Sequence, residues 1–357
     1  MKILIFSGSR ADWSGLELLS EALKAAGHEI EILKVWPFDP KPITRMDAFC
    51  VMTSVGHAAI NPLMRNDLVI LLGDRYEVLA VATAAYMMGV PIAHLCGGDI
   101  TIGSDDDQMR DAISILAALH FPSNQNSANR IVGMGIHPSR VFATGSPAID
   151  RVMNIMETDK VYAPTGLVKH VMLAIHPSAG TDVDECSEIL AACEAFEDDL
   201  KGKINYLIVD PNADAGNASI ADQLGLFIAA SPATRSYIGN LEPDKYLSIL
   251  KRCALIVGNS SCGIYEAPAL GVPTINVGAR QKGRLMAASV RGVDANRANI
   301  RAALRMAIYM TAREPYSPYG DGNACEGIVA AIGALSDVSE LKVRMRPVRS
   351  LAGWLHA

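Results

Sequence analysis

The sequence predicts an α/β protein of two doubly wound domains facing a cleft. Three observations predict it. Short apolar runs alternate with helical stretches along most of the chain, the pattern of a parallel sheet with helices on both faces. The alternation comes in two series, separated at Asp159 to Gly166, a hinge-like segment containing Pro164. Polar, glycine-containing turns follow the apolar runs: SGSRAD, GDRYE, CGGDITIGSDDD, HPSAGTD, PNADAG and GNSSCG. Those turns mark the carboxyl ends of strands, where such sheets bind ligands. A chain of 357 residues also suits two domains better than one.

Taken in order, Lys2 to Phe6 is an apolar strand that breaks at SGSRADW. A helix is expected from Ser14 to Ala26, because Leu16, Leu19 and Leu23 share a face and Gly27 ends it. Further strands are expected at Glu29–Val35, Leu68–Leu72, Pro91–His94, Leu119–Pro122 and Val141–Thr144. Helices over Glu77–Met88, Asp107–Ala118 and Ser127–Met134 lie between them, and three prolines make 36–45 an irregular connection. The second series has strands at His170–Ile175, Ile204–Val209, Leu226–Ala229, Ala254–Val257 and Thr274–Val277. The two domains are thus residues 1–164 and 165–339.

Half of the residues are hydrophobic and a fifth are charged, as in ordinary soluble proteins. A formal charge of −6 without a long basic block excludes a general nucleic-acid binder, so an anionic ligand needs a local site. The seven cysteines form no CxxC pair and no zinc-spaced cluster, which points to reduced thiols in a cytosol and no metal. Neither a signal peptide nor a membrane-spanning stretch is evident, so a soluble cytoplasmic protein is expected.

The stretch from Val257 to Arg284 is the richest in chemistry. A strand runs into Gly258, Asn259, Ser260, Ser261 and Cys262, and Gly263 opens a short helix carrying Glu266. Small residues at such a turn let backbone N–H groups and hydroxyls face a phosphate. Glu266 can accept from a sugar hydroxyl, and the loop after the next strand adds Arg280, Lys282 and Arg284. Together they suggest a nucleotide diphosphate site.

The other turns read less singly. Ser7 to Asp12 is no GxGxxG, which disfavours a dinucleotide. Arg10 there can reach a phosphate or simply pair with Asp12. Asp74, between Gly73 and Arg75 at a strand mouth, suits acid, base or hydroxyl contact, or else caps the next helix. His94 is as readily a packed histidine as a participant. Gly97 and Gly98 let backbone approach a ligand closely. Asp105, Asp106 and Asp107 meet the positive end of a helix, with Asp106 and Arg110 four apart on one face. His176 leaves a strand toward the cleft. The turn holding Asn212 and Asp214 carries no argument by itself.

Taken in order, SGSRAD, GDRYE, HxxGG with DDxxR, HP, PNxDAG, GNSSxGIxEAPxxGVPTxNxGxRQxGR and YGDGNA resemble the hydrolysing UDP-N-acetylglucosamine 2-epimerase family. The closest branch makes sialic-acid-type precursors from UDP-GlcNAc or UDP-diacetylbacillosamine. The resemblance implies a GT-B-like, Rossmann-like pair of domains, with residues 340–357 packing back on the first. It implies anti elimination of UDP to a 2-acetamidoglycal, then hydration to the free 2-epimer, without cofactor or metal. A UDP-sugar would be the ligand and a homo-oligomer, dimer or tetramer, the assembly. By resemblance Arg10, Ser260, Ser261, Glu266 and Arg280 hold UDP, and Asp74, Asp106, Arg110 and His176 surround the sugar. Asp12, Arg75, His94, Gly97, Asn212, Asp214, Gly258, Asn259, Gly263, Lys282 and Arg284 complete the site.

Three positions depart from the family pattern. Cys96 stands where a glutamate or another polar residue is usual, Asp99 where glutamate is common, and Asp111 where the branch has histidine. A thiol starts from a higher pKa, near ~8.5, and Asp99 and Asp111 are the candidates to compensate for it. A glycosyltransferase with the same UDP clamp, and a UDP-sugar binder impaired in catalysis, stay open as alternatives.

Overall fold

The computed structural model describes residues 1–35, 44–102, 106–158, 168–178, 183–200, 203–211, 216–239, 241–310, 314–335, 338 and 341, except the side chains of Arg10, Ala11 and Arg45. Two parallel sheets account for the two series of apolar runs. In the first, β1 (Lys2–Ser7), β2 (Glu29–Lys34), β3 (Leu68–Leu72), β4 (Ile92–Leu95) and β5 (Leu119–Phe121) lie in the order β2-β1-β3-β4-β5. The second holds β6 (Lys169–Ala174), β7 (Ile204–Ile208), β8 (Arg235–Tyr237), β9 (Leu255–Gly258), β10 (Thr274–Val277) and β11 (Val290–Val293), ordered β11-β10-β9-β6-β7-β8. Strands such as Leu-Val-Ile-Leu-Leu in β3 are apolar throughout because helices cover both faces.

On one face of the first sheet lie α1 (Arg10–Ala25) and α12 (Ala324–Gly333), which bury Leu16, Leu19, Ile328 and Ile332 against β1 and β3. The other face is covered by α2 (Arg45–Arg65), α3 (Tyr76–Met88) and α4 (Asp106–Leu116). In the second sheet, α7 (Glu185–Leu200), α8 (Asn217–Ala230) and α11 (Arg297–Ala307) pack on one side. On the opposite side are α6 (Pro147–Thr158), α9 (Pro243–Lys251) and α10 (Glu266–Ala269). The remaining helix, α5 (Gln125–Gly133), follows β5 and is capped by Asn124.

Two helices cross the expected boundary. α6, inside residues 1–164, buries Ile149 and Val152 with Met172 and Ala174 of the second sheet. α12, inside residues 165–339, belongs to the first sheet's core, and Leu341 joins it there. The apolar faces of these helices do not say which sheet they cover, so sequence assigns them to the nearest strands. Arg151 on α6 anchors this crossover: its Nε donates to the Ser14 carbonyl at 2.7 Å, and its guanidinium pairs with Glu17 and Asp244. The hinge at 159–166 lies outside the described residues, as do 342–357 and most of 36–45.

Two strand assignments are corrected. Leu226–Ala229 lies inside α8, and the strand comes later, at β8; a short apolar run reads equally as buried helix or strand. Val141–Thr144 forms only an isolated bridge between Val141 and His120. Two further elements, α2 and β11, carry no strong periodic signal.

Candidate active site

Parallel sheets bind ligands where strand order reverses, because neighbouring loops there leave in opposite directions. In the first sheet this point lies between β1 and β3, and in the second between β6 and β9. The loops at those points carry Asp12 and Asp74 in one lobe, and His176, Asn259 and Ser260 in the other.

Asp74 follows β3 and ion-pairs with Arg110 of α4. Arg110 is fully buried, and its guanidinium is held by several polar partners. Nη1 donates to the Asp99 carbonyl at 2.8 Å and pairs with Asp107, while Nη2 donates to Thr101 Oγ1 at 3.1 Å. Burial favours the neutral acid at Asp74, yet the guanidiniums of Arg110, Arg284 and Arg75 outweigh it and lower its pKa. Those same anions raise Arg110 against its own burial. The described ion pair within α4 is with Asp107 at i,i+3. Asp107 also caps the loop by accepting from the Thr101 N–H at 2.7 Å.

Asp99 is buried and its carboxylate is well supplied with donors. Ser123 and Ser127 donate to Oδ1 at 2.9 and 2.6 Å, and Tyr265 of the second lobe donates to Oδ2. Tyr265 in turn stacks on Tyr319, with ring centroids 3.7 Å apart. Arg284 reaches back across the cleft, donating to Thr101 Oγ1 at 3.2 Å. The Ile102 N–H donates to the Lys282 carbonyl at 2.8 Å, so the lobes meet around residues 99–102. Tyr265, Thr101 and Asp107 are the contributors sequence reasoning misses. Tyr265 sits directly before Glu266, but nothing in its spacing reveals a partner 166 residues away.

Cys96 adopts a left-handed backbone conformation (φ 57°) and directs its thiol at Ser146 Oγ, 3.7 Å away. Burial, with the charges of Asp99 and Asp74, pushes its pKa up to about 12, so it stays a neutral thiol. Asp111 faces Arg130 of α5 in an ion pair, and burial, with the charge of Asp107, raises its pKa.

His94 and Gly97 are packed closely within the first lobe. His94 is fully buried: Nε2–H donates to the Gly73 carbonyl at 2.8 Å, Nδ1 accepts from Ser114 at 3.0 Å, and burial lowers its pKa to about 4. A Cβ on Gly97 would stand 2.8 Å from that same ring and from Ser114 Oγ, and one on Gly98 would stand 2.3 Å from the Ser127 carbonyl. The glycine pair therefore serves close packing of protein on protein.

Asp12, in the first turn of α1, accepts no side-chain bond at Oδ2, which is buried and unpartnered. Burial is the main cause that raises its pKa, to about 6. Arg75 beside it forms a two-point ion pair with the buried Glu77. Arg10 begins α1, and its side chain lies outside the described residues.

The second lobe presents a rigid platform. Asn259 is fully buried and ties the ends of β6 and β9 together: Oδ1 accepts from the His176 N–H at 2.7 Å, and Nδ2 donates to the His176 carbonyl and to Glu185, each at 2.9 Å. Gly258 is required where those strands meet, because a Cβ there would be 2.0 Å from the Ala174 carbonyl oxygen. His176 Nε2 and Ser260 Oγ share a hydrogen bond of 3.0 Å. Arg280 is held over the platform by the carbonyls of Pro177 and Asn259, at 3.1 and 3.2 Å.

Beyond Ser260 the chain makes a 3-10 turn (Ser261–Gly263) and then the four-residue α10. The turn is tight because Gly263 leaves no room for a Cβ beside Thr274. A helix this short contributes little dipole, so positive charge at the platform comes from Arg280 and Arg284 rather than from the expected helix terminus. Glu266, half-buried, has a raised pKa from burial, and its Oε2 is buried without a partner. Lys282 is exposed. Asn212 and Asp214 lie outside the described residues.

Among the described residues no group of three or more His, Cys, Asp or Glu side chains could hold a metal ion, and no helix is long and apolar enough to cross a membrane.

Comparison with known proteins agrees with the geometry. The profile of the family described as UDP-N-acetylglucosamine 2-epimerase matches residues 45–333. A Campylobacter jejuni protein named GDP/UDP-N,N'-diacetylbacillosamine 2-epimerase (hydrolyzing) is 34% identical over 227 residues, 62% of this chain. The chain spans 59% of the length of that relative. The UDP-N,N'-diacetylbacillosamine 2-epimerase (hydrolyzing) of Legionella pneumophila is 31% identical over 73% of this chain and 69% of its own length. The crystal structure of the Neisseria meningitidis UDP-GlcNAc 2-epimerase bound to UDP-GlcNAc has the same fold, with a TM-score of 0.80 at 18% identity over 94% of this chain and all of that one.

Proposed function

The chain belongs to the UDP-N-acetylglucosamine 2-epimerase family, and from that premise we propose that it is a hydrolysing 2-epimerase of a UDP-2-acetamido sugar, either UDP-GlcNAc or a C4/C6-modified relative. A base removes the C2 proton, the C1–O bond to UDP breaks, and a C1=C2 double bond forms. Water then adds its hydroxyl at C1 and a proton at the opposite face of C2, giving the free 2-epimer and UDP.

The reading rests chiefly on one observation: Arg284 of the second lobe crosses to Thr101 and acts on Asp74, so the acidic pair and the cationic platform face one crevice. Asp74, held ionised, is the leading candidate for the base, with Arg110 fixing its position and Asp106 and Asp99 nearby in the same lobe. Arg280 and Arg284 offset charge on the departing diphosphate. The unpartnered Glu266 oxygen awaits a donor, which a ribose hydroxyl supplies. His176, fixed by Asn259 and Ser260, completes the sugar side. The resemblance also implies a homo-oligomer working in the cytoplasm.

Incubation with UDP-GlcNAc and with UDP-diacetylbacillosamine in D2O, followed by NMR, tests the proposal. Free UDP and a 2-epimerised sugar carrying deuterium at C2 are expected without any acceptor. UDP release that leaves C2 unlabelled, or that requires an acceptor, overturns it. A second reading, a UDP-sugar binder without turnover, is favoured by the neutral Cys96 thiol. Tight binding with no release of UDP, and turnover restored by Cys96→Glu, would support that reading instead.

A further inference from the structure

A second cavity, of about 470 Å³, lies where the chain passes between the lobes. Its volume falls within the roughly 300–1,000 Å³ of small-molecule sites. One wall is the start of α5 with the residues before it, and another is α6, through Ile149 and Met153. The segment from Pro315 to Asp321 supplies the third. Gly145 and Gly320, both in the lining, meet so closely that a Cβ on Gly145 would stand 3.0 Å from Gly320 Cα.

The lining is of two kinds. Ala143, Ile149, Met153 and Ala269 are apolar, and with them goes the ring of Tyr316, which is 63% exposed. Pro315 and Pro318 stiffen the backbone on both sides of that ring, and the Tyr316 N–H donates to the Pro268 carbonyl at 3.1 Å. The others are neutral amides and hydroxyls: Ser123, Asn124, Gln125, Thr144 and Ser317. Thr144 Oγ1 makes a long bond, 3.4 Å, to the Gly145 carbonyl, and the Tyr316 hydroxyl has no partner among the described residues. Among the described residues that line the cavity, Asp321 alone is charged, and none is Lys or Arg.

We propose that this cavity binds an uncharged pyranose, of the class of a free 2-acetamido hexose. Each sugar hydroxyl both donates and accepts, as the amides and hydroxyls of the wall do. The C–H face of a pyranose is apolar and packs on an aromatic ring. A phosphate or a nucleotide would instead call for cationic donors, and Asp321 repels it. The platform under Arg280 and Arg284 has the opposite character and suits an anion.

The cavity also touches what holds Asp99. Ser123 and Asn124 both donate to Asp99 Oδ1, at 2.9 and 3.4 Å. Pro318 and Gly320 flank Tyr319, whose ring stacks on Tyr265, and Tyr265 donates to the same carboxylate. A bound sugar therefore rests on two supports of Asp99, while neither Asp74 nor Ser260 lines its cavity. The choice of a 2-acetamido sugar rests on the functional reading above, because that sugar is the proposed product. The test reads binding alone, so its result is separate from turnover.

Saturation-transfer difference NMR of millimolar N-acetylmannosamine with the intact chain should show signal at the ring C–H protons. Tyr316→Ala should weaken binding by about tenfold, with an unchanged far-UV circular dichroism spectrum because the ring is largely exposed. Asp74→Asn, in the main cleft, should leave the binding intact. N-acetylmannosamine 6-phosphate should bind more weakly than the neutral sugar. No signal, a signal unchanged by Tyr316→Ala, one abolished by Asp74→Asn, or binding of the phosphate at least as tight as the neutral sugar's, each overturns the proposal.

Discussion

Tyr265 donates its phenol hydroxyl to Asp99 across the junction of the two lobes. The bond links a residue two places before Ala267 in the second lobe to the loop that positions Arg110, whose Nη1 binds the Asp99 carbonyl. Lobe closure and the placing of the Asp74–Arg110 pair are therefore mechanically connected.

Removing that hydroxyl alone, with Tyr265→Phe, keeps the stacking on Tyr319 and leaves Asp99 its two serine donors. A hydrogen bond to a charged acceptor contributes about 1.5–3 kcal/mol. Chemical denaturation should show a loss within that range, and Tyr265→Ala should lose more because the ring contact goes as well.

Breaking the buried pair has a larger effect. Arg110→Met removes the ion-pair partner of Asp74 and Asp107 and leaves the Asp74 carboxylate without that guanidinium. Leaving an uncompensated buried charge costs about 3–5 kcal/mol, so a strongly lowered melting temperature is expected. Asp74→Asn preserves shape and removes the proposed base. Its turnover should fall by about 10²–10⁴-fold while UDP still binds, as read by calorimetry.

Gly258 is the position where backbone geometry alone decides. Gly258→Ala must push β9 off β6, because the new Cβ and the Ala174 carbonyl oxygen cannot share a 2.0 Å gap. The Asn259 brace and His176 move with the strand ends. Loss of soluble protein, or a melt lowered far beyond that of Gly133→Ala on α5, whose Cβ meets open space, is the expected result.

Much of the fold is legible in the sequence because a buried parallel strand is apolar at every position. Leu68–Leu72 and Thr274–Val277 are found at the bounds sequence predicts. Leu226–Ala229 fails for the same reason, since a helix lying on the core is also apolar over a short window. For the site, turn chemistry identifies which loops matter: Asp74, Asp99, His176, Asn259, Ser260 and Arg280 all lie in loops that follow strands, and Arg110 lies on the helix after one of them. What side chains do there depends on long-range partners. Sequence leaves His94 open between packing and participation, and spacing places neither Ser114 and the Gly73 carbonyl around it nor Thr101 against Asp107.

Two buried groups give opposite pH dependences. His94 falls from 6.5 to about 4 on folding, so its neutral form stabilises the fold above pH 6.5 and that contribution is lost as pH drops toward 4. Asp12 rises from 3.8 to about 6, so its contribution is greatest at low pH and is lost as pH climbs from about 4 to 6. Asp12→Asn removes the second effect alone. Its stability relative to the wild type should improve steadily from pH 4 to 6 and level off above, measured by urea midpoints at half-unit intervals.

The Cys96 thiol is held neutral and strained in backbone at once, which makes its role separable from its packing. With a pKa of about 12 it should react with a thiol-specific disulfide reagent at pH 8 far more slowly than the same cysteine in the urea-unfolded chain. Cys96→Gly relieves the left-handed conformation (φ 57°) and gives up the Ser146 contact. Left-handed strain is worth about 1–2 kcal/mol, so the variant should be no less stable than the wild type despite losing a half-buried side chain. If the thiol transfers no proton, turnover of Cys96→Gly will also keep the wild-type pH profile. A lost basic or acidic limb in that profile would instead make Cys96 a participant in the chemistry.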